Sequence, residues 1–203
     1  NPSLMRKAGA KDYKLYSKKI LRICKNKPIS FEVFADEKKS MIEQGKKINM
    51  WGKNVYVKVP VVNSKGKFTG RVINQLNKKK IKLNITAVYT ARQTKQILKK
   101  IDKKTKVIIS IFAGRMADVG KNPIPQIKKS LILSKKYKNV EILWASTREA
   151  YNYLEAKKMG CQIITSPPSI IEKIEKFGKS FEKLTKETVK GFLIDTKKSK
   201  FKI

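Results

Sequence analysis

The chain has 203 residues, 49 of them basic and 15 acidic, and its formal net charge at pH 7 is +34. It contains no histidine, which excludes Ser-His-Asp and Cys-His nucleophile pairs and any zinc site built on imidazole. Cys24 and Cys161 stand alone without a Cys-x-x-Cys pair, which argues against a disulfide framework and for a reducing, cytoplasmic location. No apolar run approaches the roughly 20 residues that a membrane-spanning helix needs.

The positive charge has two interpretations. A basic surface binds nucleic acid by neutralising phosphates and releasing counterions. Nucleic-acid interfaces favour arginine, however, and only six of the 49 basic residues here are arginine. The lysines fall in short clusters within polar stretches, and no RNP motif, zinc knuckle or helix-turn-helix signature accompanies them. We therefore favour a solvated lysine-rich surface and keep a basic nucleic-acid-binding protein as the alternative from another class.

Short apolar runs rich in β-branched residues recur along the chain and predict buried strands. Segments with helical spacing of apolar residues separate them, and such strand–helix units build parallel sheets. Residues 4–24 predict one helix before the first strand, and the chain from Ser169 onward predicts one or two more helices and a Lys-rich tail. The predicted strands cover residues 29–35, 55–61, 81–88, 107–112, 140–145 and 162–165.

An open doubly wound sheet and a (β/α)8 TIM barrel both fit these units. No Gly-rich nucleotide-binding motif follows any strand, which removes the commonest site of an open sheet. Most strands carry a polar residue that a buried strand would not need, and active sites of barrels lie at the carboxyl ends of several strands. We therefore favour the barrel. The polar residues are Glu32, Lys58, Asn84, Thr86, Ser110 and Ser146.

Lys58 is the strongest candidate for chemistry. It lies among Val55, Val57, Val59 and Val61, in the most apolar strand of the chain. Burial of an ammonium group disfavours its charged form, and an uncharged amine condenses with ketones to a Schiff base. The alternative is a lysine whose ammonium reaches solvent or pairs with Glu32.

The other polar residues have weaker individual signals. Glu32 fits either a buried partner of a lysine or a proton carrier for a Schiff base. Asn84, Thr86 and Ser110 fit hydrogen-bonding to a polyhydroxylated substrate. Arg115 and Arg148 each follow a strand end, where an arginine suits bidentate phosphate binding, with salt bridges on helix surfaces as the alternative.

Six motifs, in order along nearly the whole chain, resemble the family that contains transaldolase and fructose-6-phosphate aldolase. Each of them falls at or near a predicted strand end. They are Asn1-Pro-Ser-Leu4 (T-S/T-N-P-S-L in the family), Ser30-Phe-Glu-Val-Phe-Ala-Asp36 (S-x-E-V-x-A-D/E), Val57-Lys-Val-Pro60 (V-K-I/V-P), Asn84-Ile-Thr86 (N-x-T), Ser110-Ile-Phe-Ala-Gly-Arg115 (S-P-F-V-G-R) and Ala145-Ser-Thr-Arg148 (A-S-x-R).

The resemblance implies a class I aldolase mechanism without cofactor or metal, acting on sugar phosphates. Lys58 would form the Schiff base, while Glu32 and Thr86 would move protons through a bridging water. The remaining family positions bind substrate. Asn1, Asn84 and Ser110 would hold the dihydroxyacetone hydroxyls, Phe112 would line the site, and Arg115, Ser146 and Arg148 would bind the phosphate.

Two positions distinguish the activities within the family. Glu32 and Phe112 match transaldolases, whereas the aldolases have Gln and Tyr there. The resemblance therefore implies transfer of a dihydroxyacetone unit between ketose and aldose phosphates in the pentose phosphate pathway. Fructose-6-phosphate aldolase activity is the alternative within the family. Two further alternatives are a catalytically inactive barrel that serves as a scaffold and a different Schiff-base aldolase.

The resemblance also has departures. Ile111 and Ala113 replace the usual Pro and Val, which we expect to be tolerated. The family begins with a strand that carries a catalytic Asp, then a helix and a second strand that leads into T-N-P-S. We expect a single barrel domain over residues 1–203 that lacks the first strand, the first helix and most of the second strand. Residues from about 180 onward would form a C-terminal helix and tail, and the family implies a homo-oligomer.

Overall fold

Six short strands form one parallel sheet, and their order along the chain is also their order across the sheet. The structure is a computed structural model that describes residues 2–200, with side chains from residue 5 onward. Each strand lies within one of the six predicted runs, so these predictions are confirmed. The strands are β1 (Ile29–Glu32), β2 (Val55–Pro60), β3 (Leu83–Val88), β4 (Val107–Ile111), β5 (Val140–Trp144) and β6 (Ile163–Ile164).

The strand order distinguishes the two candidate architectures. A doubly wound sheet reverses its order at a switch point, whereas a barrel adds each new strand on the same side of the last. Here the order proceeds from β1 to β6 without reversal, and every pair is parallel. The sheet is therefore a curled part of a (β/α)8 barrel, and the predicted fold class is confirmed.

Helices connect consecutive strands and cover one face of the sheet. Those between the strands are α3 (Lys38–Asn49), α4 (Gly70–Lys78), α5 (Ala91–Leu98), α6 (Ala113–Ala117), α7 (Ile124–Ser134) and α8 (Tyr151–Met159). Before the first strand lie α1 (Pro2–Lys7) and α2 (Tyr13–Cys24), and after the last lie α9 (Pro168–Ile174) and α10 (Phe181–Ser199). The last two confirm the predicted helices at the end of the chain.

The single helix predicted over residues 4–24 is wrong. The chain leaves the helical conformation after Lys7, and Gly9 adopts a left-handed φ of 79°. Asp12 then starts a new helix, because its carboxylate accepts a hydrogen bond from the Leu15 amide at 2.7 Å. Aspartate is a preferred N-cap residue, and its position here divides the apolar pattern into α1 and α2.

Alternation along the strands separates a helix-facing core from a polar inner face. Strand residues that point towards the helices are fully buried in the main core, as the alternation of side chains along a strand predicts. Examples are Val57, Leu83, Ile109 and Ile142. The intervening residues point to the other face. There Tyr56, Ile108 and Leu143 form a small apolar cluster that Phe112 and Ile163 join.

The chain divides into two compact units, one ending at Ser166 and one beginning at Pro167. The first contains the six strands, and the second contains α9 and α10. The prediction of a single domain stays a prediction. Among the described residues, no helix combines the length and the apolar character that crossing a membrane requires.

Candidate active site

Strand register brings three predicted residues into one row on the inner face. Glu32 pairs with Lys58 across β1 and β2, and Lys58 pairs with Asn84 across β2 and β3. Since side chains alternate strictly along a strand, residues in register point to the same face. Glu32 is the last residue of β1, whereas Lys58 lies two residues before the end of β2 and Asn84 is the second residue of β3. The row therefore reaches the carboxyl edge of the sheet, where barrel enzymes have their active sites, at β1.

Lys58 forms an ion pair with Glu32. The distance from Lys58 Nζ to Glu32 Oε2 is 3.7 Å, and the side chains are 17% and 23% exposed. This is the pairing that the sequence left as an alternative to a free amine. The two interpretations are compatible, because a carboxylate at this distance can accept the proton that the lysine must lose before it attacks a carbonyl group.

The Asn84 amide on β3 is held by a hydroxyl group on β1, two strands away, and by one on the adjacent strand β4. Its Nδ2 donates to Ser30 Oγ at 3.0 Å, and its Oδ1 accepts from Ser110 Oγ at 2.7 Å. These bonds link β1, β3 and β4 across the inner face. They leave lone pairs on Ser110 Oγ, which can accept hydrogen bonds from substrate hydroxyls.

Thr86 is 2% exposed, and its hydroxyl has no hydrogen-bond partner among the described residues. It lies at an irregularity of β3, where the pairing with β4 shifts between Ile85 and Val88 and Ala87 adopts a φ of 57°. Bulges of this kind redirect side chains next to active sites. A buried polar atom without a partner marks a position suited to a water molecule or a substrate atom.

A cleft of about 430 Å³ extends from Lys58, Asn84 and Thr86 to the turn after β4 and the turn after β5. Its volume suits a small phosphorylated sugar better than a large cofactor. Of the predicted site residues, Glu32 and Arg148 are absent from its wall, and Asn1 lies outside the described residues. The cleft is lined by Ser30, Lys58, Asn84, Thr86, Ser110, Phe112, Arg115, Leu143, Ala145, Ser146 and Thr165.

Arg115 and Arg148 have different environments. The Arg115 guanidinium lies 5.2 Å from the centre of the Phe112 ring and is in no described ion pair, so its N–H groups are available to an anion. Arg148 is held by Asp118: Nε donates at 2.8 Å to Oδ1, and Nη2 donates at 2.5 Å to Oδ2. Its Nη1 donates to the carbonyl oxygen of Ser146 at 3.3 Å.

The Asp118–Arg148 pair shifts the titration of both groups. Hydrogen bonds from Arg148 lower the pKa of Asp118, and the bonds to Asp118 raise the pKa of Arg148. Both side chains are nearly half exposed, so solvent screens the interaction. The pair therefore orients the guanidinium next to Ser146 more than it stabilises the fold.

Sequence reasoning missed four residues of this region. Ser30 was discoverable, since it precedes Glu32 by two positions and so points to the same face. Thr165 directly follows the short strand β6. Asp118 lies at the end of α6 and bonds to Arg148. Tyr13 lies on α2, and its hydroxyl bonds to the Glu32 backbone. No local sequence pattern connects either residue with its partner.

The wall of the cleft carries two cationic side chains, Lys58 and Arg115, among uncharged polar and apolar residues. Among the described residues, no group of three or more Cys, Asp or Glu side chains is arranged to hold a metal ion.

The chain matches the family described as transaldolase/fructose-6-phosphate aldolase over residues 1–203. It is 32% identical over 199 residues to a probable transaldolase of Caldicellulosiruptor saccharolyticus, covering 92% of this chain and 87% of the relative. Probable transaldolases of Nitrosopumilus maritimus (31% over 204 residues; 98% and 84%) and Desulfatibacillum aliphaticivorans (32% over 203 residues; 98% and 87%) are similarly related. The resemblance seen in the six motifs is confirmed, and the chain belongs to the transaldolase/fructose-6-phosphate aldolase family.

Proposed function

We propose that this protein is a transaldolase that transfers a dihydroxyacetone unit from a ketose phosphate to an aldose phosphate through a Schiff base on Lys58. The observation that carries the proposal is the Lys58–Glu32 pair on the inner face of the sheet, beside a cleft that Arg115 also lines. An amine, a proton acceptor and a free guanidinium are the groups that a Schiff-base reaction on a phosphorylated ketose requires.

The first half of the reaction joins the substrate to the enzyme. Glu32 takes a proton from the Lys58 ammonium, and the amine attacks the C2 carbonyl to give a carbinolamine. Return of that proton to the carbinolamine hydroxyl, through a water held at Thr86, releases water and leaves the iminium. Because Lys58 Nζ and Glu32 Oε2 lie 3.7 Å apart, the proton passes between them after a short side-chain movement or through the bridging water.

The second half exchanges the aldehyde. Loss of the C4 hydroxyl proton breaks the C3–C4 bond, releases an aldose phosphate and leaves the electron pair in an enamine on Lys58. We assign no residue of this sequence to that proton. The enamine then attacks the carbonyl carbon of a second aldose phosphate, and the new C4 alkoxide takes up the proton that the first C4 hydroxyl lost. Hydrolysis of the new iminium releases the product ketose phosphate and regenerates the amine.

Substrate recognition is divided between two parts of the cleft. Asn84 and Ser110 would bind the hydroxyls of the dihydroxyacetone unit, with Asn1 as a further ligand of those hydroxyls from the resemblance. Arg115, Ser146 and the exposed edge of Arg148 would bind the phosphate. Sugar phosphates of the pentose phosphate pathway are the substrates we infer, with no cofactor; a cytoplasmic location and a homo-oligomeric state stay predictions.

Borohydride trapping tests the nucleophile. Incubation with fructose 6-phosphate and reduction should leave a three-carbon adduct on Lys58, located by peptide mass mapping, and Lys58→Met should abolish it. Lys82→Met is the matched control, because Lys82 also lies beside a strand and burial and the neighbouring Lys106 lower its pKa. It should retain the adduct. Adducts scattered over many lysines, or none on folded protein, would contradict the mechanism.

The same preparation separates transfer from aldol cleavage. With fructose 6-phosphate and erythrose 4-phosphate together, we expect formation of sedoheptulose 7-phosphate. With fructose 6-phosphate alone, release of dihydroxyacetone should be slow, because Phe112 supplies no hydroxyl to assist water. Rapid release without an acceptor would identify the aldolase activity instead.

A further inference from the structure

The hydroxyl group of Thr147 lies between the turn after β5 and the end of β6. It donates a hydrogen bond to the carbonyl oxygen of Thr165 at 2.6 Å and accepts one from the Ser166 hydroxyl at 3.2 Å. Thr147 is 4% exposed and does not line the cleft. Its neighbours in the chain, Ser146 and Arg148, are residues that we propose bind the phosphate. The resemblance to the family leaves the position of Thr147 open, as the x of A-S-x-R.

The bond from Thr147 to Thr165 replaces a bond of the strand ladder. At the end of the pairing between β5 and β6, the Thr165 amide donates to the Trp144 carbonyl oxygen at 3.0 Å. In a regular parallel ladder, the Ser146 amide would make the next bond, to the Thr165 carbonyl oxygen. Among the described residues that bond is absent, and the Thr147 hydroxyl donates to this acceptor instead. Both backbone groups of Thr165 face β5, so these bonds do not depend on what borders β6 on its other side.

The substitution of one donor for the other follows from the backbone conformation of Ser146. Its φ of 63° is left-handed, a conformation that persists in a non-glycine residue where the surrounding contacts hold it. On the β4 side, the Gly114 amide donates to the Ala145 carbonyl oxygen at 3.3 Å. Thr147 supplies the contact on the β6 side. In this conformation the Ser146 amide has no hydrogen-bond partner among the described residues.

We propose that Thr147 is a positioning residue of the phosphate site: by bonding the Thr165 carbonyl oxygen in place of the Ser146 amide, its hydroxyl holds the turn so that the amide and the hydroxyl of Ser146 both bind the substrate phosphate. The inference rests on the proposed function, which assigns the phosphate to this turn. Backbone amides in such turns bind anions as fixed dipoles. A turn that is anchored on both sides also loses little conformational freedom when the anion binds.

Thr147→Val tests the inference, because it removes the hydroxyl and keeps the branched shape of the side chain. With erythrose 4-phosphate saturating, we expect KM for fructose 6-phosphate to rise by roughly fivefold or more and kcat to stay within about twofold of wild type, since Lys58 and Glu32 are not contacted. The kcat/KM for unphosphorylated fructose should stay at the wild-type value, because this donor has no phosphate for the turn to bind. Thr147→Ser keeps a hydroxyl and should restore the wild-type KM.

Thr105→Val is the matched control for the loss of a buried threonine hydroxyl. Thr105 is 6% exposed, its hydroxyl donates to Asp102 Oδ2 at 2.9 Å, and it lies before β4, at the amino end of the sheet. This variant should keep the wild-type KM for fructose 6-phosphate. A merely structural role of Thr147 predicts the same fold-loss with fructose as with fructose 6-phosphate, and that result would overturn the inference, as would an unchanged KM in Thr147→Val.

Binding of inorganic phosphate separates this inference from the proposed function, because it needs no turnover. Isothermal titration calorimetry should show phosphate binding to Thr147→Val roughly fivefold more weakly than to the wild type and to Thr105→Val. Comparison of the three proteins cancels the phosphate that binds to surface lysines. Absence of adduct on Lys58 in the wild type would remove the proposed function, whereas equal phosphate affinities of the three proteins would overturn this inference alone.

Discussion

A lysine that is paired with a carboxylate is protonated, and a protonated amine cannot attack a carbonyl group. In the proposed mechanism Lys58 therefore needs a proton acceptor, and the Glu32 carboxylate lies 3.7 Å away. Both side chains are largely shielded from solvent, which strengthens their electrostatic attraction relative to that of a surface pair. At the scale of single residues, the mechanism that we propose starts from this ion pair and is activated by the first proton transfer.

Asp118 provides a residue-scale prediction for the phosphate pocket. Asp118→Asn removes the charge that holds the Arg148 guanidinium next to Ser146. We expect KM for fructose 6-phosphate to rise by about fivefold with kcat nearly unchanged, because Lys58 and Glu32 are not contacted. Steady-state kinetics of the variant measure both.

Asp195→Asn on α10 serves as the control for removal of one acidic charge and should leave KM unchanged. If KM instead fell in Asp118→Asn, Asp118 would be competing with the phosphate for Arg148, and its assigned role would be reversed.

At the scale of elements, the turn after β4 and the turn after β5 form one unit. The Gly114 amide at the start of α6 donates to the Ala145 carbonyl at 3.3 Å, and Ser146 adopts a left-handed φ of 63° that non-glycine residues rarely adopt. The next residue of α6, Arg115, then lies beside Ser146 on the wall of the cleft. Close backbone packing of two elements thus places Arg115 and Ser146, the groups that we propose bind the phosphate.

Gly114→Ala tests this packing. A Cβ atom at Gly114 would lie 1.6 Å from the Ser146 carbonyl oxygen, a backbone atom that cannot rotate away. We expect a loss of stability of more than about 2 kcal/mol, in the range of core overpacking, and a raised KM because Arg115 shifts with α6. Chemical denaturation and kinetics check both expectations.

Gly191→Ala is the matched control, since no atom lies within 4 Å of its Cβ position and it lies inside helix α10. Helix propensity predicts that this variant is slightly more stable, by up to about 1 kcal/mol. Wild-type stability of Gly114→Ala would show that α6 can move without cost and would contradict the close packing.

The elements also show where sequence reasoning succeeds. Strand positions followed from β-branched runs, and the convergence of Glu32, Lys58 and Asn84 followed from polar residues inside apolar strands. The break in the first helix was missed because the Asp12 cap is a local signal that the apolar spacing obscured. The irregularity at Ala87 and the Asp118–Arg148 pair depend on tertiary contacts, which no local pattern encodes.

At the scale of the whole molecule, the charge of +34 is compatible with a substrate that carries phosphate. A positive field attracts anions towards a cleft and raises their association rate, and salt screens it over about 10 Å at 0.1 M. The same charge kept a nucleic-acid-binding protein open as an alternative. Membership of the transaldolase/fructose-6-phosphate aldolase family favours a small phosphorylated substrate over nucleic acid as the explanation of the positive charge.

Ionic strength tests this idea. Raising salt from about 0.02 to about 0.2 M should lower kcat/KM for fructose 6-phosphate several-fold through KM, with kcat unchanged, because screening weakens attraction before binding and leaves the chemistry alone. Unphosphorylated fructose, an uncharged donor with the same reacting carbons, is the matched control, and its kcat/KM should show no salt dependence when the acceptor is saturating. A flat response with the phosphorylated donor would mean that the surface charge takes no part in recruitment.

The row of polar residues on the inner face has a consequence for how this chain can change. Glu32, Lys58, Asn84 and Ser110 are evenly spaced in the chain, and each comes from a separate strand–helix repeat. Loss of a single residue within a strand would turn that strand's polar side chain from the inner face towards the helices. Loss of a residue from a connecting loop would leave the side chain on the inner face. We therefore expect insertions and deletions to be better tolerated in the loops than in the strands, so that the repeats can change in length while their inner-face residues stay in place.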